Sequence, residues 1–220
     1  MKIFKKYNII IYIFLIICAT IIITYNVFEY QKTKSIVLER KNIVDEQVPT
    51  NDNIPTIDFE KIRKKYDNKD IKGVIRIDNE NFEKVVLQTT NNTYYLTHNF
   101  SRKKKNGEIF LEANLDIDSS KIKVLNANGS KDSNIFRKYY DEQYYSKHKY
   151  IELETDKLIY KYEVLLVYSG SIDYKNFDID KVIENSKYIY NLDFTKDNEF
   201  LIIEKTIDNK EISIVCKKVD

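Results

Sequence analysis

Side chains that could act as nucleophiles or metal ligands are scarce in this chain. The 220 residues include only two cysteines and two histidines, namely Cys18, Cys216, His98 and His148. A cysteine attacks as its thiolate and needs a positioned base beside it, and a zinc site needs several clustered ligands. The two histidines lie far apart in the sequence and no carboxylate motif accompanies them. The sequence therefore predicts no metal site, and nothing in it calls for a cofactor.

Cys216 is the one thiol outside the N-terminal apolar run, and it lies in the stretch EISIVCKK. Ile212, Ile214 and Cys216 alternate along a predicted strand and so share one face. Free cysteine commonly behaves as a small buried hydrophobe, so packing is the favoured interpretation and a nucleophile is the alternative. His98 in YYLTHNF and His148 in SKHKY are predicted to be structural or solvent-facing.

The composition limits the kind of partner. Lysine and arginine number 36 against 34 aspartate and glutamate, which gives a net charge of +2. A nucleic-acid-binding domain usually carries a strongly basic face with interleaved aromatic residues, so no nucleic acid is predicted. The dense charge run RKKKNGE is predicted to be a solvated turn. After removal of a tail, the length suits one ordinary domain.

The N-terminus predicts a membrane anchor. Lys2, Lys5 and Lys6 precede an uncharged, isoleucine-rich segment at 8–28, which is long enough to cross a hydrocarbon core of roughly 30 Å. The lysines place residues 1–7 in the cytoplasm and the rest of the chain outside. A cleaved signal peptide is the alternative, although no clean small-x-small site is found. Residues 29–57 are interpreted as a stalk and 58–220 as the extracytoplasmic domain.

The folded domain begins with a predicted helix and continues as strands. DFEKIRKKYDNKD has Asp58 as N-cap and apolar residues at helical spacing. Then the hydrophobic period changes to two, as in antiparallel sheets. The predicted strands are IKGVIRID (71–78), FEKVVLQT (82–89), TYYLTHNF (93–100), EIFLEAN (108–114), KIKVLNA (121–127), YIELET (150–155), LIYKYEVLLVY (158–168) and two more in 197–220.

Two further helices are predicted between these strands. SNIFRKYYDEQYYSKH (133–148) can begin at Ser133 and carries many tyrosines, which suit barrel packing or an interaction surface. DIDKVIENSKYI (178–189) has the second helical pattern. Many short strands with peripheral helices favour a mainly β fold, either a closed β-barrel or an α+β domain.

In chain order, these segments resemble the class B sortases, surface transpeptidases of Gram-positive bacteria. Residues 71–100 are similar to the family's G-W-I-x-I strand, P-V-V-Q strand and D-N-x-Y-Y-L segment, and GEIFLEAN (107–114) resembles G-S-I-F-L-D. Residues 134–168 resemble the M-F-x-x-L-x-x-Y helix and the long strand beyond it. Residues 197–219 lie where the family has D-x-I-L-T-L-S-T-C-T and R-F-V-V-x-A-K. The resemblance implies a sortase-like closed β-barrel.

The family's catalytic residues are missing in this register. Sortases use a cysteine thiolate that attacks a sorting-signal peptide, a histidine that shuttles the proton and an arginine that steadies the oxyanion. The resemblance places Ala127 at the histidine, Lys205 at the cysteine and Glu211 at the arginine, or Lys210 if the register slips by one. A methyl group cannot transfer a proton. Glu204 and Lys205 are predicted to be a charged strand end that faces solvent or forms a salt bridge.

The leading hypothesis is a catalytically inactive, membrane-anchored sortase-like protein at the cell surface. Its expected partners are the membrane, through the N-terminal helix, and a surface protein, a sorting-signal peptide or an active sortase. A divergent cysteine transpeptidase or hydrolase that uses Cys216, with His98 or His148 brought close by the fold, is the alternative. A structural spacer in an envelope assembly is a third possibility.

Overall fold

A computed structural model describes residues 16–24, 53–195 and 197–219. The chain divides into two compact units, Met1–Val48 and Pro49–Asp220. In the first unit, residues 16–24 form a helix, α1, inside the predicted membrane segment 8–28. The remainder of that segment and most of the predicted stalk lie outside the described residues. Among the helices that are described, none has the length and apolar character needed to cross a bilayer, and the anchor stays a prediction.

The second unit is built on a closed sheet. Eight strands pair in the ring β5-β1-β2-β3-β4-β8-β9-β6, and β6 pairs with β5 to close it. β7 pairs with Leu166–Tyr168 of β6, the part of that edge that follows the β5 pairing at Ile159–Glu163. The predicted closed β-barrel is confirmed. The described strands are β1 (Ile71–Ile77), β2 (Glu83–Leu87), β3 (Ile109–Leu111), β4 (Ile122–Asn126), β5 (Tyr150–Thr155), β6 (Ile159–Tyr168), β7 (Ser186–Ile189), β8 (Phe200–Ile207) and β9 (Lys210–Val219).

Two of the strand pairs are parallel. β2 pairs with β3 and β4 pairs with β8 in parallel, whereas the other pairs are antiparallel. Parallel neighbours require a crossover connection, so β4 and β8 are adjacent in space although β5 to β7 separate them in the chain. This pairing places the segment after β4 beside the end of β8.

Side-chain alternation along β8 separates the barrel interior from its outer face. Leu201 and Ile203 pack into the cluster that fills the barrel. Ile202 points the other way and packs with Ile179 and Val182 in a second cluster on the outside. Period-two alternation predicts that the next inward residue after Ile203 is two positions later.

Short helices cover the barrel. α2 (Phe59–Tyr66) begins as predicted, because the Asp58 side chain accepts a hydrogen bond from Lys61 N and so satisfies one of the unpaired N–H groups of the first turn. It buries Phe59 and Ile62. The other described helices are α3 (Glu142–Lys147), α4 (Ile179–Glu184) and 3₁₀ helices at Tyr94–Leu96, Asp132–Tyr140 and Tyr174–Asn176.

The predicted helix at 133–148 is two helices. A 3₁₀ helix covers Asp132–Tyr140 and α3 follows after Asp141, whose side chain caps α3 by accepting from Gln143 N. Ser133 is not the cap. It lies inside the 3₁₀ helix, and its hydroxyl donates to the carbonyl oxygens of Ala127 and Ser130.

The predicted strand at 93–100 is wrong. Tyr94–Leu96 is a 3₁₀ helix, because the Asn91 side chain accepts from Thr93 N and Thr93 Oγ1 and turns the backbone there. Residues 95 and 96 then approach other backbone segments very closely. A Cβ at Gly107 would lie 2.0 Å from Tyr95 O and one at Gly129 2.3 Å from it, so both positions need glycine.

The predicted helix at 178–189 is correct only in its first half. α4 ends at Glu184, and Ser186–Ile189 becomes β7 by pairing with the edge of β6. Helical spacing of the apolar residues favoured a continuous helix, but the unpaired edge of β6 offers main-chain hydrogen bonds that the local propensity does not include.

The end of the predicted stalk packs on the barrel. Ile57 is buried, and the N–H groups of Thr56 and Ile57 donate to Glu154 Oε1 at 2.5 and 2.8 Å. Glu154 is fully buried, and its other oxygen lies 2.8 Å from the Arg76 guanidinium, which also pairs with Glu83 at 2.9 Å. Thr56 and Ile57, which the sequence analysis placed in the stalk, therefore belong to the folded domain.

Candidate functional site

The structure brings together the two positions that the family resemblance assigns to histidine and cysteine. In the parallel pair of β4 and β8, Asn126 is opposite Glu204. Ala127 N donates to Glu204 O at 2.8 Å, and Thr206 N donates to Asn128 Oδ1 at 2.5 Å. Ala127 and Lys205 are therefore neighbours at one end of the barrel, as the resemblance requires.

Lys205 points into the barrel end. It continues the inward face of Leu201 and Ile203 and is only 5% exposed. Its ammonium donates to Ala127 O at 3.1 Å and to Ser130 O at 2.9 Å. Burial lowers the pKa of this amine, because a low-dielectric surrounding disfavours the charged form. Lys205, at the position that the resemblance assigns to the nucleophile, is therefore hydrogen-bonded to the segment 127–130, which includes the position assigned to the histidine.

The predicted solvent-facing or salt-bridged Lys205 is wrong. Within the described ranges its ammonium takes part in no ion pair, and its side chain lies inside. Glu204, the neighbouring residue, points outward and accepts hydrogen bonds from Ser171 Oγ at 2.8 Å and Ile172 N at 3.1 Å. The reason is strand alternation, which places adjacent charged residues on opposite faces of the sheet.

The histidine position is closed to solvent. Ala127 is fully buried, and its methyl group packs in the barrel interior with Phe136 of the 3₁₀ helix Asp132–Tyr140. Ser133 of the same helix donates to the carbonyl oxygens of Ala127 and Ser130, the two acceptors that Lys205 also uses. The 3₁₀ helix therefore covers the barrel end over the family's catalytic positions.

The arginine position lies in a tight hairpin. β8 and β9 are joined by Asp208 and Asn209, both with positive φ (51° and 61°), as in a type I′ turn that matches the strand twist. Glu211 is opposite Thr206 and exposed, and Lys210 is exposed too. A carboxylate here repels an oxyanion rather than stabilising it, since two negative charges are disfavoured at close range.

The remaining reactive groups lie elsewhere. Cys216 is fully buried in the barrel interior together with Ile212 and Ile214, and burial raises the pKa of its thiol. His98 stacks on Tyr94 with ring centroids 4.1 Å apart, and its Nδ1 lies 2.9 Å from Tyr94 O.

His148 follows α3 as its C-cap residue. Its Nδ1 lies 2.8 Å from Asp78 O, and its ring packs beside Tyr144. Both histidine rings thus contact nearby backbone carbonyl oxygens. Within the part of the chain that the structure describes, no three side chains that could ligate a metal lie together.

A cleft opens beside the covered barrel end. Its volume is about 280 Å³. Ile212, the strand partner of Lys205, belongs to its wall. The Arg137 guanidinium and Asp208 pair across it at 2.7 Å, and Tyr140 and Tyr188 pack on each other with centroids 4.9 Å apart. The cleft is lined by Arg137, Tyr140, Ser169, Tyr188, Ile207, Asp208, Lys210 and Ile212.

Sequence reasoning did not identify this cleft. The tyrosine-rich stretch from Arg137 gave a signal, because tyrosines suit an interaction surface, but it did not separate lining residues from core. In the structure Tyr139 and Tyr145 are buried, whereas Tyr140 reaches the cleft.

The closed eight-strand barrel with a parallel β4–β8 pair, and with the positions 127, 205 and 211 at one end, defines a sortase-type fold. Comparison with solved structures supports this class. Sortase B from S. aureus, solved in complex with MTSET, superimposes with a TM-score of 0.73 at 20% identity, over 87% of this chain and 89% of that chain. Sortase B from B. anthracis, solved in complex with AAEK1, gives a TM-score of 0.70 at 21% identity, over 87% and 98%.

Part of the sequence is similar to a sortase B as well. Sortase B of Listeria monocytogenes is 30% identical over 112 residues, 49% of this chain. The chain spans 46%, about half, of the length of that curated relative. No protein-family model matches the chain. The chain thus has a sortase B-like fold and, over about half of its length, sequence similarity to a sortase B.

Proposed function

We propose that this protein is a catalytically inactive sortase-like binding protein of the cell surface. The observation that carries the proposal is the replacement at the barrel end. A buried methyl group, Ala127, and a buried ammonium, Lys205, occupy the positions of the proton shuttle and the nucleophile.

The chemistry of these replacements does not support acyl transfer. Lys205 is buried and donates N–H groups to two carbonyl oxygens of the chain, so its nitrogen is held against the backbone and is not presented to a substrate. The group that should protonate a leaving amine is absent at Ala127, and Glu211 adds negative charge where the family has an arginine. The three changes act against the reaction at separate steps.

Binding is supported by the cleft beside this end. Tyr140 and Tyr188 offer rigid aromatic area, and Arg137 and Lys210 offer cationic donors at the rim. β7 has one free edge near Tyr188, to which an extended peptide can add main-chain hydrogen bonds. A sorting-signal peptide or an extended segment of a surface protein fits these features, and an active sortase is the other partner we consider. The membrane anchor at 8–28, with the domain outside the cell, belongs to this proposal.

The alternative, a cysteine transpeptidase or hydrolase that uses Cys216, requires an accessible thiolate. The sulfur is fully buried and burial raises its pKa, so neither condition is met in this conformation. No observation in the described residues favours this alternative over binding.

The test uses the barrel unit, residues 49–220, and a peptide that carries a surface-protein sorting signal. We expect no cleavage above the blank in the presence of an amine acceptor, and no change with Cys216→Ala. Binding is measured by calorimetry. We expect Arg137→Ala/Lys210→Ala to weaken it, whereas the matched double variant Lys147→Ala/Lys181→Ala, which removes two exposed cations elsewhere, leaves it unchanged.

Two outcomes oppose the proposal. Peptide cleavage that Cys216→Ala abolishes would support the enzyme instead. Tight binding that survives Arg137→Ala/Lys210→Ala, with cleft residues unprotected by the peptide, would place the binding site on another face of the barrel.

A further inference from the structure

A second surface, separate from the cleft, is strongly basic. Residues 98–107 contain four consecutive cations, Arg102 to Lys105, and no carboxylate. All four are exposed. Arg102 lies 3.4 Å from Asp70, and Glu108 accepts from Phe100 N at 3.3 Å, so two carboxylates adjoin the turn. The run is a turn, as the sequence analysis predicted, and hydrogen bonds fix its backbone conformation.

Side-chain and backbone bonds hold the basic turn in one conformation. The Asn99 side chain accepts from Ser101 N and Lys103 N at 3.1 and 3.0 Å, and Asn99 N donates to Lys103 O at 3.0 Å. Arg102 takes a left-handed conformation with φ 60°. The turn is therefore preorganised, and its cations are presented without a large loss of backbone entropy on binding.

An exposed apolar residue lies beside these cations. Lys105 N donates to Thr97 O, and His98 forms a backbone bridge with Lys104, so the turn is attached to the 3₁₀ helix Tyr94–Leu96. Leu96 of that helix is 36% exposed. Tyr94, half-buried, contributes an amphipathic ring. An exposed leucine and a tyrosine next to clustered cations are features of protein segments that contact the bilayer interface.

α2 extends the charged area. The Asn68 amide donates to Phe100 O at 2.5 Å, and Tyr66 packs edge-on against Phe100 with centroids 5.2 Å apart. These contacts hold the end of α2 against the basic turn. Lys64 and Lys65 are exposed residues of this end of α2, and the Lys64 ammonium lies 3.9 Å from Glu60.

We propose that this surface, formed by Leu96, Arg102–Lys105, Lys64 and Lys65, contacts an anionic phospholipid bilayer. The cations match phosphodiester headgroups, and Leu96 gives an apolar contact that a soluble polyanion would not use. This inference rests on the proposed membrane anchor at 8–28, which would keep the protein at a bilayer. The contact would orient the barrel and leave its cleft exposed to partners.

The test is vesicle co-sedimentation of the barrel unit, residues 49–220, which has its own closed sheet and core. We expect binding to vesicles of phosphatidylglycerol in phosphatidylcholine, little binding to phosphatidylcholine alone, and a decrease with added salt. Lys103→Glu/Lys104→Glu/Lys105→Glu should lower the partition coefficient by more than roughly 100-fold, because loss of three lysines at about 1 kcal/mol each already gives that factor. Leu96→Ser should lower it several-fold.

The matched control is Lys147→Glu/Lys161→Glu/Lys181→Glu, which makes the same charge change at exposed lysines outside this surface. Circular dichroism establishes that each variant is folded. If the control lowers the partition coefficient equally, the effect comes from net charge and not from this surface, and the proposal is overturned. A soluble polyglycerol phosphate that competes fully, together with no effect of Leu96→Ser, would assign the surface to a wall polymer and overturn the membrane contact.

Discussion

Replacement of Lys205 tests whether its side chain fills the barrel end where the family keeps a nucleophile. We compare Lys205→Ala, which removes both the buried stem and the ammonium, with Lys205→Met, which keeps a stem of similar length and removes only the charge. The measured quantity is the free energy of unfolding of residues 49–220 in urea, obtained by linear extrapolation with the slope held to the same value in all variants.

The expected magnitudes follow from the contacts. Lys205→Ala removes three buried methylene groups at about 0.8 kcal/mol each, so we expect a loss of about 2–3 kcal/mol. Ala127 O also accepts from Ser130 N at 3.3 Å, which leaves the single Ser133 hydroxyl hydrogen for Ser130 O and limits any further penalty. For Lys205→Met we expect stability at pH 7 to equal that of the wild type or to exceed it by up to about 1 kcal/mol, because burial disfavours the ammonium.

The pH dependence separates charge from packing. The folded pKa of Lys205 is lowered, so between that pKa and the unfolded value of about 10.4 the unfolded state binds the extra proton. Wild-type stability therefore rises with pH through this window relative to Lys205→Met, and any advantage of the methionine variant shrinks there. The tyrosines titrate in both proteins, so their contribution cancels when the stability–pH curve of Lys205→Met is subtracted from that of the wild type.

Two results would refute this account. A cost below about 0.5 kcal/mol for Lys205→Ala would mean that the lysine stem is not buried in solution. A large loss of stability in Lys205→Met at neutral pH would mean that the two carbonyl bonds outweigh the burial of the charge, contrary to the direction of the pKa shift.

Three other predictions follow from the buried groups. The Cys216 thiol, with no exposed surface, should react with a thiol reagent only after unfolding, and rapid native-state labelling would contradict its burial. Glu154→Gln removes the charge that pairs with buried Arg76, so we expect a loss of about 2–4 kcal/mol in urea unfolding; a neutral effect would mean that Glu83 alone compensates Arg76. Burial raises the pKa of Glu108 to about 7, so the folded state holds its proton longer than the unfolded state. As the pH rises from about 4.3 to 7, the stability of the wild type should fall relative to that of Glu108→Gln. Parallel stability–pH curves for the two proteins would contradict this.

Much of the barrel was predictable from local patterns. Along β1, β5 and β6 the period-two alternation predicted the strands to within about two residues, and Asp58 predicted the start of α2. These features depend on residues close together in the chain, so a sequence pattern contains the information. The resemblance then implied that the strands close into a barrel, and the structure supplies their order.

The two errors in the predicted elements have different physical causes. The segment 93–100 has a strand-like composition, but Asn91 turns the backbone and two glycines far along the chain let it pack closely. The segment 186–189 continues a helical pattern, but the free edge of β6 recruits it as a strand. In the first case a local side chain turns the backbone, and in the second a strand edge elsewhere in the chain supplies the decisive contact.

The sequence by itself determined that alanine, lysine and glutamate stand at the three positions that the family resemblance assigns to histidine, cysteine and arginine. Only the tertiary structure decided how Lys205 and Ala127 meet, because the parallel pairing of β4 and β8 joins segments that are far apart in the chain. Strand alternation directs the lysine inward, and the 3₁₀ helix at Asp132–Tyr140 covers it. Lys205, which the sequence predicts to face solvent, is instead buried, and the carbonyl oxygens of Ala127 and Ser130 accept its hydrogen bonds.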